Sequence, residues 1–183
     1  MHTKEELYSN KIFFNAALPL VKVIANDVPS LKKQFAHVHA IIQVSAKDPD
    51  APGGKVGMHF VVNSDEWLVH LNKVDPNPHV ELEFKSVEAM NAFFKGKMSP
   101  ATLPKMKGVV THFGAFKAFL MTLLKMSSLL GATEAPKDEA TKELMVKCFF
   151  YLLSSGISQL NKMGHEDIHD WTSKSPDRVY AWA

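Results

Sequence analysis

Near the C-terminus, His165-Glu166-Asp167-Ile168-His169 matches the spacing in which two histidines one helical turn apart hold zinc and a glutamate acts as general base. The neighbourhood argues against that chemistry. Gly164 is a natural helix stop, and the stretch from Asp170 to Ala183 has no histidine or glutamate to complete the ligand set. A short solvated helix with an acidic first turn explains the same residues. His59 and His70 form a second candidate. With Ser64-Asp65 as a two-residue turn, Asn63 pairs with Glu66 and His59 stands opposite His70. Such a pair can bind a transition metal, or repel when protonated near about pH 6. Together with His39 and His79, it also reads as an ordinary row of histidines on the polar side of a sheet.

Two further groups carry reactive or charged atoms. Lys95, Lys97, Lys105 and Lys107 cluster around a glycine-proline segment, where they suit the acidic head of a ligand, the phosphates of a membrane, or plain solvent. Cys148 is the one cysteine of the chain. It excludes an internal disulfide and falls in an apolar helical run, where a free thiol behaves as a small buried hydrophobe. None of these groups assembles into a catalytic set. The expectation is a protein with no catalytic residue, metal or cofactor, and His165, His169, His59 and His70 are the residual metal candidates.

The elements that would position these residues follow from periodicity. Over the first 35 residues Phe13, Phe14, Ala17, Leu18, Val21, Ile24 and Val28 recur mostly every three or four, predicting helix, with Pro19 dividing it. Pro29 suits the first turn of a short helix through Phe35. From His37 the period becomes two: Val38, Ala40, Ile42 and Val44 alternate with His39, Ile41, Gln43 and Ser45. Turn formers between Lys47 and Gly54 close a hairpin onto Val56–Asn63. A strand around Trp67, Val69 and Leu71 follows, then one with Val80, Leu82 and Phe84, completing a four-stranded antiparallel meander with one apolar face. Ser86 caps a helix carrying Val87, Met90, Phe93 and Phe94. The run from Gly108 to Gly114 predicts a fifth strand. Ala115–Leu130 is then so apolar that half its surface cannot face water; protein, ligand or a second subunit must cover it. A long helix over Glu139–Met163 ends the regular structure.

At 183 residues, 46% of them apolar and 22% charged, the chain suits one soluble domain. A net charge of +2 and the lack of basic runs speak against nucleic acid. The acidic start, Met1 to Glu6, is unlike a secretory leader, and Ile12–Ile24 is too short and interrupted to span a bilayer. A cytoplasmic location is the expectation.

Phe35 to Leu130 resembles the sterol carrier protein type two family. The resemblance rests on the meander, on the strand His79–Lys85 running into Ser86-Val87-Glu88-Ala89-Met90, and on Phe93-Phe94-Lys95-Gly96-Lys97-Met98-Ser99-Pro100. It includes Gly108 and Gly114 ahead of an apolar helix, one residue further from Gly96 than the family pattern has it. It implies an α+β fold with a five-stranded, mainly antiparallel sheet covered on one face by helices. An apolar tunnel between the layers would hold a fatty acid, acyl chain, sterol or isoprenoid, without cofactor or catalysis. Residues 1–34 are then an N-terminal helical extension, 35–130 the lipid-binding domain, and 131–183 a C-terminal helical extension packed on the same domain. The end, Ala181-Trp182-Ala183, is not the peroxisomal tripeptide of some members.

The residues themselves indicate a lining. Phe60, Val62, Val69 and Leu82 would face it from the sheet. Met90, Phe93, Phe94, Met98 and Met106 would do so from the central segment. Phe116, Phe119, Leu120 and Leu123 would complete it from the apolar helix. Nine methionines suit an adaptable pocket. About ten buried methylenes at roughly 0.8 kcal/mol each give roughly 8 kcal/mol before ordering costs, the scale of about micromolar binding. The same residues could instead fill a solid core. The expected partners are a lipid or other apolar small molecule, transiently a membrane surface, and a second copy of the chain. The alternatives are an accessory domain that presents an apolar substrate to a partner enzyme, and a zinc hydrolase using His165 and His169.

Overall fold

Alternating apolar positions build the sheet first. In the computed structural model, which describes residues 13–94, 99–130, 134 and 136–162 (only the backbone of 130 and 156–162), β1 spans His39–Lys47 and β2 Lys55–Asn63. They pair antiparallel from Lys47↔Lys55 to His39↔Asn63. Gly53 and Gly54 supply the positive φ values, 79° and 71°, that the connecting turn requires. β3, Glu66–His70, follows the two-residue turn Ser64-Asp65 and pairs antiparallel with β2. Ser64 itself stands at φ 59° and is tied down where its Oγ donates to the Ala36 carbonyl at 2.8 Å.

The meander stops there. β4, Val80–Phe84, pairs parallel with β1, in register Ile42↔Val80 to Ala46↔Phe84, and not with β3. The strand order is β3-β2-β1-β4-β5. The segment 71–79 is too long for a hairpin, and Pro76 and Pro78 cannot donate to a ladder. It crosses the polar side of the sheet instead. On the way His59 Nδ1 meets the Lys73 carbonyl at 2.8 Å, the Asp75 amide donates to Gln43 Oε1 at 2.6 Å, and the His79 amide donates to the Ile41 carbonyl at 2.9 Å.

The fifth strand also differs from expectation. β5 is Lys105–Lys107, antiparallel to β4, and residues 109–112 form the turn into the next helix. The register explains this: Lys105 and Lys107 stand opposite Glu83 and Glu81. Gly108 then ends the strand at φ 73°, so close to the His79 carbonyl that a Cβ would lie 1.8 Å from its oxygen. Gly114 sits inside a helix and brackets nothing.

A π-helical turn, Phe13–Ala17, leads to α1, Leu20–Asp27, and α2, Pro29–Phe35. Pro19 and Pro29 divide this region as expected. α3 is Val87–Phe94, with Ser86 Oγ accepting from the Ala89 amide at 3.2 Å. α4 is Phe113–Leu130 and α5 is Glu139–Lys162, started by Asp138 Oδ1 accepting from the Thr141 amide at 2.8 Å. The result is an α+β fold with a mostly antiparallel five-stranded sheet. Its core lies between the helices and the apolar face of Ala40, Ile42, Val44, Met58, Phe60, Val62, Val80, Leu82 and Phe84. α1 packs on α4 and α5, and Lys147 of α5 is paired with Asp27 of α1. No described helix is long and apolar enough to cross a membrane.

Candidate functional site

Strand alternation aims Phe60 and Val62 of β2, Leu82 of β4 and Trp67 of β3 at the helices, where all four are buried. The helices answer with Phe119, fully buried, and Met90. The Phe60 and Phe119 rings are 5.9 Å apart, Phe60 and Trp67 5.6 Å, and Phe35 and Trp67 4.7 Å. Nearer β4, Phe84 lies 5.4 Å from Phe93 and 5.7 Å from Phe94, and Phe13 lies 4.2 Å from Phe94 with the rings tilted by 35°. Aromatic pairs thus recur along the junction between the layers, among aliphatic residues such as Ile24, Ile42, Val44 and Met58. The Trp67 indole N–H is buried there with no hydrogen-bond partner.

The thirteen expected lining residues separate into groups. Phe60, Val62, Leu82, Met90 and Phe119 are buried; Val69, Phe93, Phe94, Phe116 and Leu123 are half-buried. Met106 is 53% and Leu120 39% exposed, and Met98 lies outside the described residues. Met106 is informative. It shares a sheet face with the buried Leu82 opposite it, so the helical cover gives out between β4 and β5. Sequence reasoning missed Phe13, Phe35, Trp67 and Phe84 as members of the aromatic junction. Trp67 and Phe84 were detectable, since each falls in phase with a strand position already assigned to that face.

The other face of the sheet is polar yet largely buried. Gln43, Ser45, His59, Glu81 and Glu83 are all less than a tenth exposed. Glu81 Oε1 accepts from Ser45 Oγ at 2.6 Å and from Gln43 Nε2 at 2.9 Å, and Lys107 Nζ donates to Glu81 Oε2 at 3.0 Å and to Glu83 Oε2 at 2.8 Å. Lys55 bridges the same two carboxylates. Burial alone would push Glu81 up; the hydrogen bonds from Ser45, Gln43 and Lys107 and the Lys55 charge outweigh it and hold the carboxyl at about 2. Glu83 is likewise lowered, because the Lys107 and Lys55 hydrogen bonds exceed the effect of burial. Lys107 is raised in return by Glu83 and Glu81. Two carboxylates face two ammonium groups, so the cluster is electrically neutral. It fastens β5 to the sheet and offers no unpaired charge to a substrate.

His59 and His70 do stand opposite each other, with rings stacked 4.5 Å apart at 21°. A metal binds in the plane of each imidazole, and two nearly parallel stacked planes do not converge on one ion. Among the described residues no group of three or more histidines, cysteines or acids is arranged to hold a metal. His165 and His169 lie outside the described residues, as do Lys95 and Lys97. Cys148 is buried, and its burial together with the Asp27 charge pushes the thiol up to about 11, which keeps it protonated and unreactive.

Two solved structures are similar in fold. One is a crystal structure of sterol carrier protein 2, with a TM-score of 0.43 and 11% identity over 71% of this chain and 97% of that one. The other is a solution structure of a conserved hypothetical protein from Thermus thermophilus, described as a candidate sterol carrier protein. Its TM-score is 0.38, with 8% identity over 74% of this chain and 86% of that one. No family model matches the chain, and no curated protein matches it. The functional reading rests on the chain's own residues.

Proposed function

We propose that the protein binds an apolar, lipid-like molecule between its sheet and its helices, entered from the β4–β5 side, and performs no chemistry on it. The observation that supports this reading is the graded exposure along the junction. Phe60 and Phe119 are sealed, Phe93, Phe94, Phe116 and Leu123 are half-covered, and Met106 faces water. Several large apolar side chains left half-covered or exposed together suit the margin of a binding site. The buried charges of the sheet, Glu81 and Glu83, are paired with Lys55 and Lys107 on the face away from the helices, so recognition would be by shape and apolar area, as suits a fatty acid, acyl chain, sterol or isoprenoid.

Displacement of a fluorescent fatty acid in solution tests it. The wild type is expected to bind at about micromolar affinity. Leu123→Trp, which fills the half-covered margin, is expected to weaken long-chain probes about tenfold while leaving the melting temperature within a few degrees. Equal affinity in both proteins would refute this lining.

A second reading has one observation in its favour. Val146, Phe149 and Phe150 of α5 are exposed on one helix side, which suits an accessory domain docked on a partner enzyme. Recovery of a stable heterocomplex from the native source would favour that reading over an independent carrier.

A further inference from the structure

We infer that the outward side of α4, together with the turn leading into it, is a docking surface for an anionic lipid bilayer. α4 is apolar on two opposite sides. Ala115, Ala118, Phe119, Thr122, Met126 and Leu129 face the core. Opposite them Phe113 is 59%, Met121 42% and Leu124 56% exposed, with Leu120 between. At 3.6 residues per turn these four, with Lys117, fall within about 100° of arc. The turn before the helix continues the surface: Val110 is 95% exposed, an apolar β-branched residue held out into solvent. Exposed apolar residues grouped along one helix and its entry turn mark an interaction surface, unlike the scattered leucines of an ordinary exterior.

Charge decides what that surface meets. From residue 89 to residue 133 the chain has no aspartate or glutamate, whereas Lys95, Lys97, Lys105, Lys107, Lys117 and Lys125 all fall within it. Lys105 and Lys107 are on the polar side of β5, away from the helices, and Lys125 lies near Asp138, but Lys117 is exposed inside the apolar arc itself. Two copies of the chain meeting through this face would bring like charges together, and lysine is depleted from apolar dimer interfaces. A bilayer bearing phosphate head groups satisfies both parts: the aliphatic and aromatic side chains enter the acyl boundary while the ammonium groups stay at phosphate depth. The contact would be interfacial, since no described helix can span a membrane. The inference stands on surface residues and goes beyond the ligand reading, which concerns the interior.

Co-sedimentation with vesicles of phosphatidylcholine alone, and of phosphatidylcholine mixed with phosphatidylglycerol, tests it. The wild type should pellet with the mixed vesicles and not with the neutral ones, and added salt should weaken the binding. Val110→Glu with Leu124→Glu, both at solvent-facing positions, should lower partitioning about tenfold or more, and Lys117→Glu should lower it severalfold. Circular dichroism and fatty-acid displacement without vesicles report whether each variant is folded and still takes ligand. Equal partitioning of wild type and variants, or equal binding to neutral vesicles, would overturn the proposal. So would a wild-type dimer that Leu124→Glu dissociates while vesicles go unbound. A protein that pellets with anionic vesicles yet displaces no fatty acid would refute the ligand reading and leave this one intact.

Discussion

Glu81 is a strand carboxylate at which a serine, a glutamine and two lysines are aimed. Its folded-state value of about 2, against an ordinary 4.5, means that the native protein binds this proton less readily than the unfolded chain does. That difference favours folding by roughly 3 kcal/mol where both states are ionised, above about pH 5. The contribution is lost as pH falls from about 4.5 through 2. Urea midpoints should therefore hold between about pH 7 and pH 5 on this account and drop below it. Glu81→Gln should lose roughly 2 kcal/mol at neutral pH and flatten most of the acid slope; an unchanged slope would place the acid sensitivity elsewhere. None of this was legible beforehand. Gln43, Ser45, Glu81 and Glu83 occupy the polar phase of their strands, and a period of two says which residues share a side but not whether a loop will cover that side. The 71–79 crossover does. The His59–His70 pairing, by contrast, was legible, because a two-residue turn at Ser64-Asp65 leaves one register.

At the scale of elements, β5 is three residues long and has little to hold it beyond its neighbours. Lys107 fixes one side by bridging two carboxylates, and Gly108 fixes its end by passing close to the His79 carbonyl. Gly108→Ala is expected to cost about 2 kcal/mol or more, since it meets both a left-handed backbone and a carbonyl that must move. Chemical denaturation measures the loss, and hydrogen exchange should place it at Lys105–Lys107 before the rest of the sheet; a variant as stable as wild type would contradict the contact. The strand was displaced from its expected place at Gly108–Gly114 because hydropathy favours Val109 and Val110, whereas pairing is decided by the glutamates across the ladder. The helices were easier to read. Pro19, Pro29, Ser86 and Asp138 are local stop and start signals that need no knowledge of the distant chain. The neighbour of β4 did need it: alternation alone cannot tell a meander from a crossover to β1.

The molecule as a whole places a charged, mutually satisfied lattice on one side of its sheet and an aromatic junction on the other, with helices over the junction and a margin that stays apolar to its edge. Binding of an apolar guest is the use we propose for that second side, and the interior residues proposed to line it were largely recognisable by strand phase and helix spacing. What spacing could not reveal was their exposure: Met106 reaches solvent because the helical cover ends between β4 and β5, a consequence of topology, and Leu120 because it lies on the outward side of α4. Native mass spectrometry of the freshly purified protein tests the central claim most directly. A discrete adduct of lipid mass, extractable into organic solvent and replaced by an added fatty acid, is the predicted result. A bare chain that takes up no fatty acid, sterol or isoprenoid when each is supplied would contradict it.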